Sequence, residues 1–120
     1  MAKNPEFGKK IRELREAKKK GNPKFSLRQF AQEVGISATF LSKIENGEFD
    51  PPSPDNIIKI AGLLEVDPDE LLELAKKVDP EVEDIVRSRH KVMADFLRTA
   101  QSLSDDDLKK ITNDIRKDVK

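Results

Sequence analysis

Ala38, Thr39, Ser42 and Lys43 recur at helical spacing and carry groups suited to a base edge. A threonine hydroxyl bonds either base type, and a lysine ammonium donates to guanine or to a phosphate. The Ala38 and Thr39 methyls can pack on the methyl of thymine. Leu41 and Ile44 fall on the opposite side of the same stretch, so the polar set faces away from a core. Ser37 begins the stretch, and Phe40 adds packing or an apolar contact in a groove. Ser26, Arg28 and Asn46 are better suited to phosphate, because a helix start presents free N–H groups where an anion sits. Such contacts fix register without selecting sequence.

Other chemistry is thinly supplied. The chain has no cysteine and one histidine, His90, so a thiolate zinc site, a disulfide and a His–His pair are excluded. Carboxylates cluster at Asp105-Asp106-Asp107 and at Glu81, Glu83 and Asp84. The first run lies at a helix start, where the macrodipole favours negative charge without any metal. There is no nucleophile motif and no phosphate-cradling glycine loop. The expectation is a protein that is not an enzyme and needs no metal or cofactor.

The elements that position these residues are all helical, since no alternating strand pattern survives inspection. Helix 1 is expected over about Pro5–Lys19, with Phe7, Ile11 and Leu14 on one face, and Gly21, Asn22 and Pro23 break it. Ser26 caps a helix at Leu27–Val34 that ends at Gly35. Ser37 caps the next, which runs to about Asn46 and closes at Gly47. Prolines exclude a helix in Glu48–Pro52. Ser53-Pro54 then starts a helix with Ile57, Ile58, Ala61 and Leu64 inward, and Asp67-Pro68 starts one with Leu71, Leu72 and Ala75 inward. Beyond Asp79-Pro80 the pattern loosens. Ser104 caps a last helix, and Leu108, Ile111, Ile115 and Val119 follow at spacings of three, four and four.

Two short helices crossing steeply need a small residue in the first, here Ala31, and a turn residue that accepts positive φ, here Gly35. Phe30, Val34, Ile36, Leu41 and Ile44 supply the inward apolar positions, and all seven sites hold the required type. This is a helix-turn-helix at Leu27–Asn46. At IRELREAKK, SLRQFAQEVGISATFLSKIENGE and PPSPDNIIKIAGLLEVDPDELLELA the sequence resembles the Cro/repressor-like, or xenobiotic-response-element, helix-turn-helix family. The resemblance covers about residues 5–77. It implies a five-helix domain whose third helix enters the major groove, usually as a dimer on a palindromic operator. It also implies that Arg15 pairs with Glu45. Many members carry Gln where Leu27 stands and Tyr where Phe40 stands; neither role transfers, because leucine and phenylalanine lack the polar group. The KKKGNPK loop is longer than usual, and Lys18, Lys19, Lys20 and Lys24 either add phosphate attraction or are simply solvated.

The net charge is zero, yet residues 1–50 hold 11 Lys and Arg against 7 Asp and Glu, while residues 51–120 hold 12 against 16. Because screening hides charges beyond about 10 Å, the local excess is what a phosphate meets. No apolar run approaches the roughly 20 residues that span a bilayer. The first ten residues, MAKNPEFGKK, lack the apolar stretch of a secretory signal. A cytoplasmic protein without a membrane partner is expected.

The fold expected is all-α, with a helix-turn-helix domain at residues 1–77 and a helical tail at 78–120. Double-stranded DNA is the expected partner. Phe96, Leu97, Leu108, Ile111, Ile115 and Val119 are the candidate dimerisation residues, since one helix-turn-helix buries too little surface for tight specific binding. The tail equally suits a protein regulator or a toxin. The expected function is a transcriptional regulator, foremost a repressor; the alternatives are a DNA-binding antitoxin and a protein-interaction adaptor.

Overall fold

A computed structural model describes residues 3–119, and among them every regular element is a helix. The described residues fall into two compact units that part between Glu81 and Val82.

The first unit opens with Asn4, whose side-chain oxygen accepts from Phe7 N at 3.0 Å and starts α1 (Pro5–Lys19). The amide nitrogen of Asn4 donates to the carbonyl of Leu74 at 2.9 Å, tying the start of α1 to the end of α5. The broken stretch after α1 is itself ordered: Asn22 caps a 3₁₀ turn, Pro23–Phe25. Ser26 caps α2 (Leu27–Val34) and Ser37 caps α3 (Ala38–Glu45), each accepting from the backbone N–H three residues on. Helix α3 stops at Glu45, one residue before the end that its sequence suggests, and Asn46 takes the cap. Ser53 caps α4 (Pro54–Leu64) and Asp67 caps α5 (Pro68–Ala75), each with proline at the first helical position.

The core joins all five helices. Phe7 and Ile11 of α1, Phe30 and Val34 of α2, and Leu41 and Ile44 of α3 are buried with Ile57, Ile60 and Leu64 of α4 and Leu71 and Leu72 of α5. Ile58 and Leu14 are half-buried and pack against this core as expected, Ile60 is fully buried as well, and Arg15 beside Leu14 is buried. An apolar period alone does not show that a cation is buried against a partner in another helix.

Two glycines are fixed by different physics. Gly35 has φ +92° and ψ 26°, the left-handed conformation, and the backbone N–H of Ile36 returns to Ala31 O at 3.0 Å. This closes α2 and turns the chain sharply into α3. Lys59 of α4 donates to Val34 O at 3.3 Å, placing a cation at the negative end of α2. Gly8 is helical, and its need is space. A Cβ there would collide with Ile44 O and lie 2.9 Å from Glu45 O, so α1 touches the α3 backbone directly.

The second unit holds α6 (whose span Pro80–Ser88 begins just before it), α7 (His90–Ala100) and α8 (Asp105–Asp118). Ser104 caps α8 by accepting from Asp107 N at 3.1 Å. Val119 lies past the end of α8 in extended conformation and is 73% exposed, so the apolar stripe of that helix stops at Ile115.

Gly8→Ala is expected to lower stability more than Gly35→Ala. The first forces two backbones apart, at the upper end of about 1–3 kcal/mol or beyond. The second places a side chain in the left-handed region at about 1–2 kcal/mol, in otherwise open space. Thermal melts of the two variants decide it; the reverse order would mean that α1 moves off α3 without penalty.

Candidate nucleic-acid interface

Helix α3 buries one face and leaves the other open. Leu41 and Ile44 are buried, whereas Thr39 and Asn46 are exposed and Ala38, Phe40, Ser42 and Lys43 are half-buried. The burial on one side follows from the close approach of α1 and the turn at Gly35. Two shallow depressions lie side by side on the open surface. Ala38, Thr39, Ser42 and Lys43 line the first together with Leu27 and Glu48. Ser42 and Asn46 line the second with Arg12, Arg15, Glu16, Lys19, Leu27 and Glu45. Leu27 and Ser42 belong to both.

Ser26, Arg28, Ser37 and Phe40 line neither depression. The Ser26 hydroxyl oxygen accepts from Gln29 N at 3.3 Å and that of Ser37 from Phe40 N at 3.0 Å, so each works as a helix cap. Each hydroxyl keeps its own proton for an outside acceptor. Arg28 is exposed one residue into α2. Phe40 packs on Phe49 with ring centroids 6.0 Å apart, and Lys43 Nζ lies 5.4 Å from the Phe49 centroid. The ammonium of Lys43 is therefore steadied over an aromatic face.

Arg12 and Glu48 escaped the sequence reading as members of this surface; Lys19 entered it only through the basic loop, and Leu27 only as a position without a polar group. Arg12, Glu16 and Lys19 stand at i, i+4 and i+7, so a face of α1 was legible in the spacing. Its neighbour across the fold was not.

The electrostatic anchor is Arg15. Its Nε donates to Glu45 Oε2 at 2.7 Å and its second terminal nitrogen to Glu45 Oε1 at 2.9 Å, a bidentate pair with both side chains 4% exposed. Its remaining terminal nitrogen donates to Phe25 O at 3.0 Å. The hydrogen bond to Glu45 raises the Arg15 pKa, against the opposing effect of burial. Glu45 is thus neutralised inside the scaffold, and its carboxylate does not project its charge onto the open face. Lys18 is similarly engaged: it donates to Glu65 at 2.8 Å and lies 5.7 Å from the Phe25 centroid. That bond holds the Glu65 carboxyl below its ordinary value.

A profile described as a helix-turn-helix domain matches residues 8–77, more than half of the chain. The chain belongs to the helix-turn-helix domain family. It is 38% identical over 79 residues to an uncharacterized HTH-type transcriptional regulator, RghRB, of Bacillus subtilis (strain 168), a match covering 66% of the chain and 53% of that protein. It is also 38% identical over 60 residues to the HTH-type transcriptional repressor RghR of the same organism, covering 50% of the chain and 41% of that protein. The chain therefore spans about half the length of the curated relatives it matches. No solved structure matches it significantly.

Outside the helix-turn-helix, five of the candidate dimerisation residues are exposed on helices. Phe96, Leu97, Leu108, Ile111 and Ile115 are between 37% and 52% accessible. Phe96 of α7 and Leu108, Ile111 and Ile115 of α8 line one cleft of about 580 Å³ with Thr99, Ala100, Leu103, Thr112 and, at its charged edge, Arg116. Leu97 and Val119 do not line it. The hydroxyls of Thr99 and Thr112 donate back to Asp95 O and Leu108 O, each at 2.8 Å, which commits their protons within their own helices. Among the described residues, no helix is long and apolar enough to cross a membrane.

Arg15→Ala is expected to destabilise the first unit by about 3–5 kcal/mol, because it leaves a buried carboxylate without a partner. Replacing both partners, Arg15→Met with Glu45→Leu, should recover most of that loss. Denaturant unfolding of the single and double variants measures the coupling; simple additivity would mean that the pair is not desolvated.

Proposed function

We propose that the protein is a sequence-specific DNA-binding transcriptional regulator, a repressor that binds an inverted-repeat operator as a dimer. The observation that carries this reading is the division of α3. One face is locked into the core, and the other presents Thr39, Ser42 and Lys43 beside the Arg12–Lys19 face of α1. A helix so held enters the major groove with its first turn toward the base edges. Family membership supports the same reading, and the name of RghR as a repressor favours repression.

The roles divide by chemistry. Thr39 and Lys43 read bases, with Ala38 and Ser42 at the same edges. Arg12, Lys19, Arg28 and Asn46 meet phosphates, aided by the free N–H groups at the start of α2 and by the hydroxyls of Ser26 and Ser37. Phe40 supports Phe49 and Lys43. The apolar cleft of α7 and α8 takes a second copy of the chain, which brings two recognition helices about 34 Å apart, one turn of DNA.

Two variant pairs separate reading from holding. Thr39→Ala with Lys43→Ala should lower affinity for a selected site by about tenfold or more and leave nonspecific binding nearly unchanged. Arg12→Ala with Lys19→Ala should weaken all sequences alike and make the salt dependence shallower by about two charges. Binding titrations on selected and scrambled duplexes at several salt concentrations test both. A double variant at Thr39 and Lys43 with normal operator affinity would remove α3 as the reader.

The dimer is tested by sedimentation of the full chain at micromolar concentration. Ile111→Asp with Ile115→Asp is expected to shift dimer to monomer and to weaken operator binding without touching a DNA contact. A wild-type monomer with full operator affinity would refute the assembly.

A further inference from the structure

Leu27 is the single large apolar side chain among the residues lining the two depressions, and it lines both. It occupies the first position of α2, half-buried, with one side packed against the core and the other lining the depressions, and the cap there is already supplied by Ser26. Helix formation at that position does not call for leucine. Ala38 and Thr39 share the first depression with it, and each contributes a methyl.

The two depressions differ in charge. The second holds Arg12, Arg15 and Lys19 against Glu16 and Glu45, an excess of one positive charge. The first holds Lys43 against Glu48 and is balanced. A phosphate favours the second. The carboxylate of Glu48 disfavours one in the first and leaves that depression to base edges. Base edges in the major groove offer hydrogen-bond donors, acceptors and one apolar group, the C5-methyl of thymine. An apolar patch on a surface that enters this groove has that group alone as its complement.

We infer that Leu27, with Ala38 and Thr39, reads the C5-methyl of a thymine in each operator half-site, so that Leu27 is a specificity-determining residue on the helix before the recognition helix. This rests on the regulator reading above. Shielding one methyl from water is worth about a fourfold change in affinity.

The test is a methyl scan. Sites are selected from random DNA with the full chain, and each thymine of the selected duplex is then replaced in turn by deoxyuridine, which removes only the methyl. One position per half-site is expected to lose about fourfold in affinity for the wild type. Leu27→Ala, shown folded by its thermal melt, should bind more weakly and respond to that replacement by less than twofold, while keeping its other base preferences. Should Leu27→Ala fail to fold, Leu27→Gln keeps the stem of the side chain and should lose the methyl response equally. A leucine that serves packing alone would lower the melt and leave the uridine response intact, which overturns the inference. A selected site tolerant of uridine at every thymine overturns it too, with the regulator reading still standing. Failure to select any sequence removes both.

Discussion

The bidentate pair between Arg15 and Glu45 holds the helix-turn-helix to the rest of its unit. Two long side chains from α1 and α3 meet where both are almost fully buried, and Phe25 O takes one of the remaining guanidinium donors. The desolvation of two charges makes such a pair a modest net stabiliser and a severe loss when one partner is removed. Its larger consequence is geometric. A planar fork bonded to a carboxylate through two nitrogens permits one orientation of α3 about its axis. Gly8 acts on the same segment from below, since its missing Cβ lets α1 rest on the carbonyls of Ile44 and Glu45. With that side pinned, Thr39, Ser42 and Lys43 can only face outward.

The pair also shapes the field of the open surface. An unpaired Glu45 beside Asn46 would repel a phosphate, and the buried guanidinium cancels it before the charge reaches solvent. What remains outside is the Arg12 and Lys19 edge of α1 and the balanced, partly apolar depression around Leu27. The overall neutrality of the chain hides this local division, because screening makes a phosphate sensitive only to charges within about 10 Å. Under the proposed function, holding and reading thus fall on adjacent but chemically distinct patches.

The second unit follows another logic. Helices α7 and α8 keep large apolar side chains accessible, and the two threonines between them turn their hydroxyls onto their own helix carbonyls. Such a surface gains by covering apolar area rather than by forming directed bonds. Under the proposed function this surface serves association, apart from the base-reading face of α3.

Local chemistry made much of this legible in the sequence. Ser26, Ser37, Ser53, Asp67 and Ser104 cap helices because a side-chain oxygen two or three residues ahead of a free N–H is a property of the chain itself. Gly35 turns the chain because its backbone tolerates positive φ, and Leu41 and Ile44 face inward because 3.6 residues make a turn. The Arg15–Glu45 pair was anticipated through resemblance to a family rather than from spacing. What depended on distant neighbours stayed hidden. Gly8 looks like an ordinary helical glycine until α3 arrives above it, and Asn4 finds Leu74 only once α5 has packed beside α1. Leu27 reads as one more apolar residue at a helix start. Sequence determined which helices form and which faces they bury, since those preferences act within a few residues. Tertiary structure alone decided which open faces became neighbours, because contacts between α1, α2 and α3 are set by packing and not by spacing along the chain.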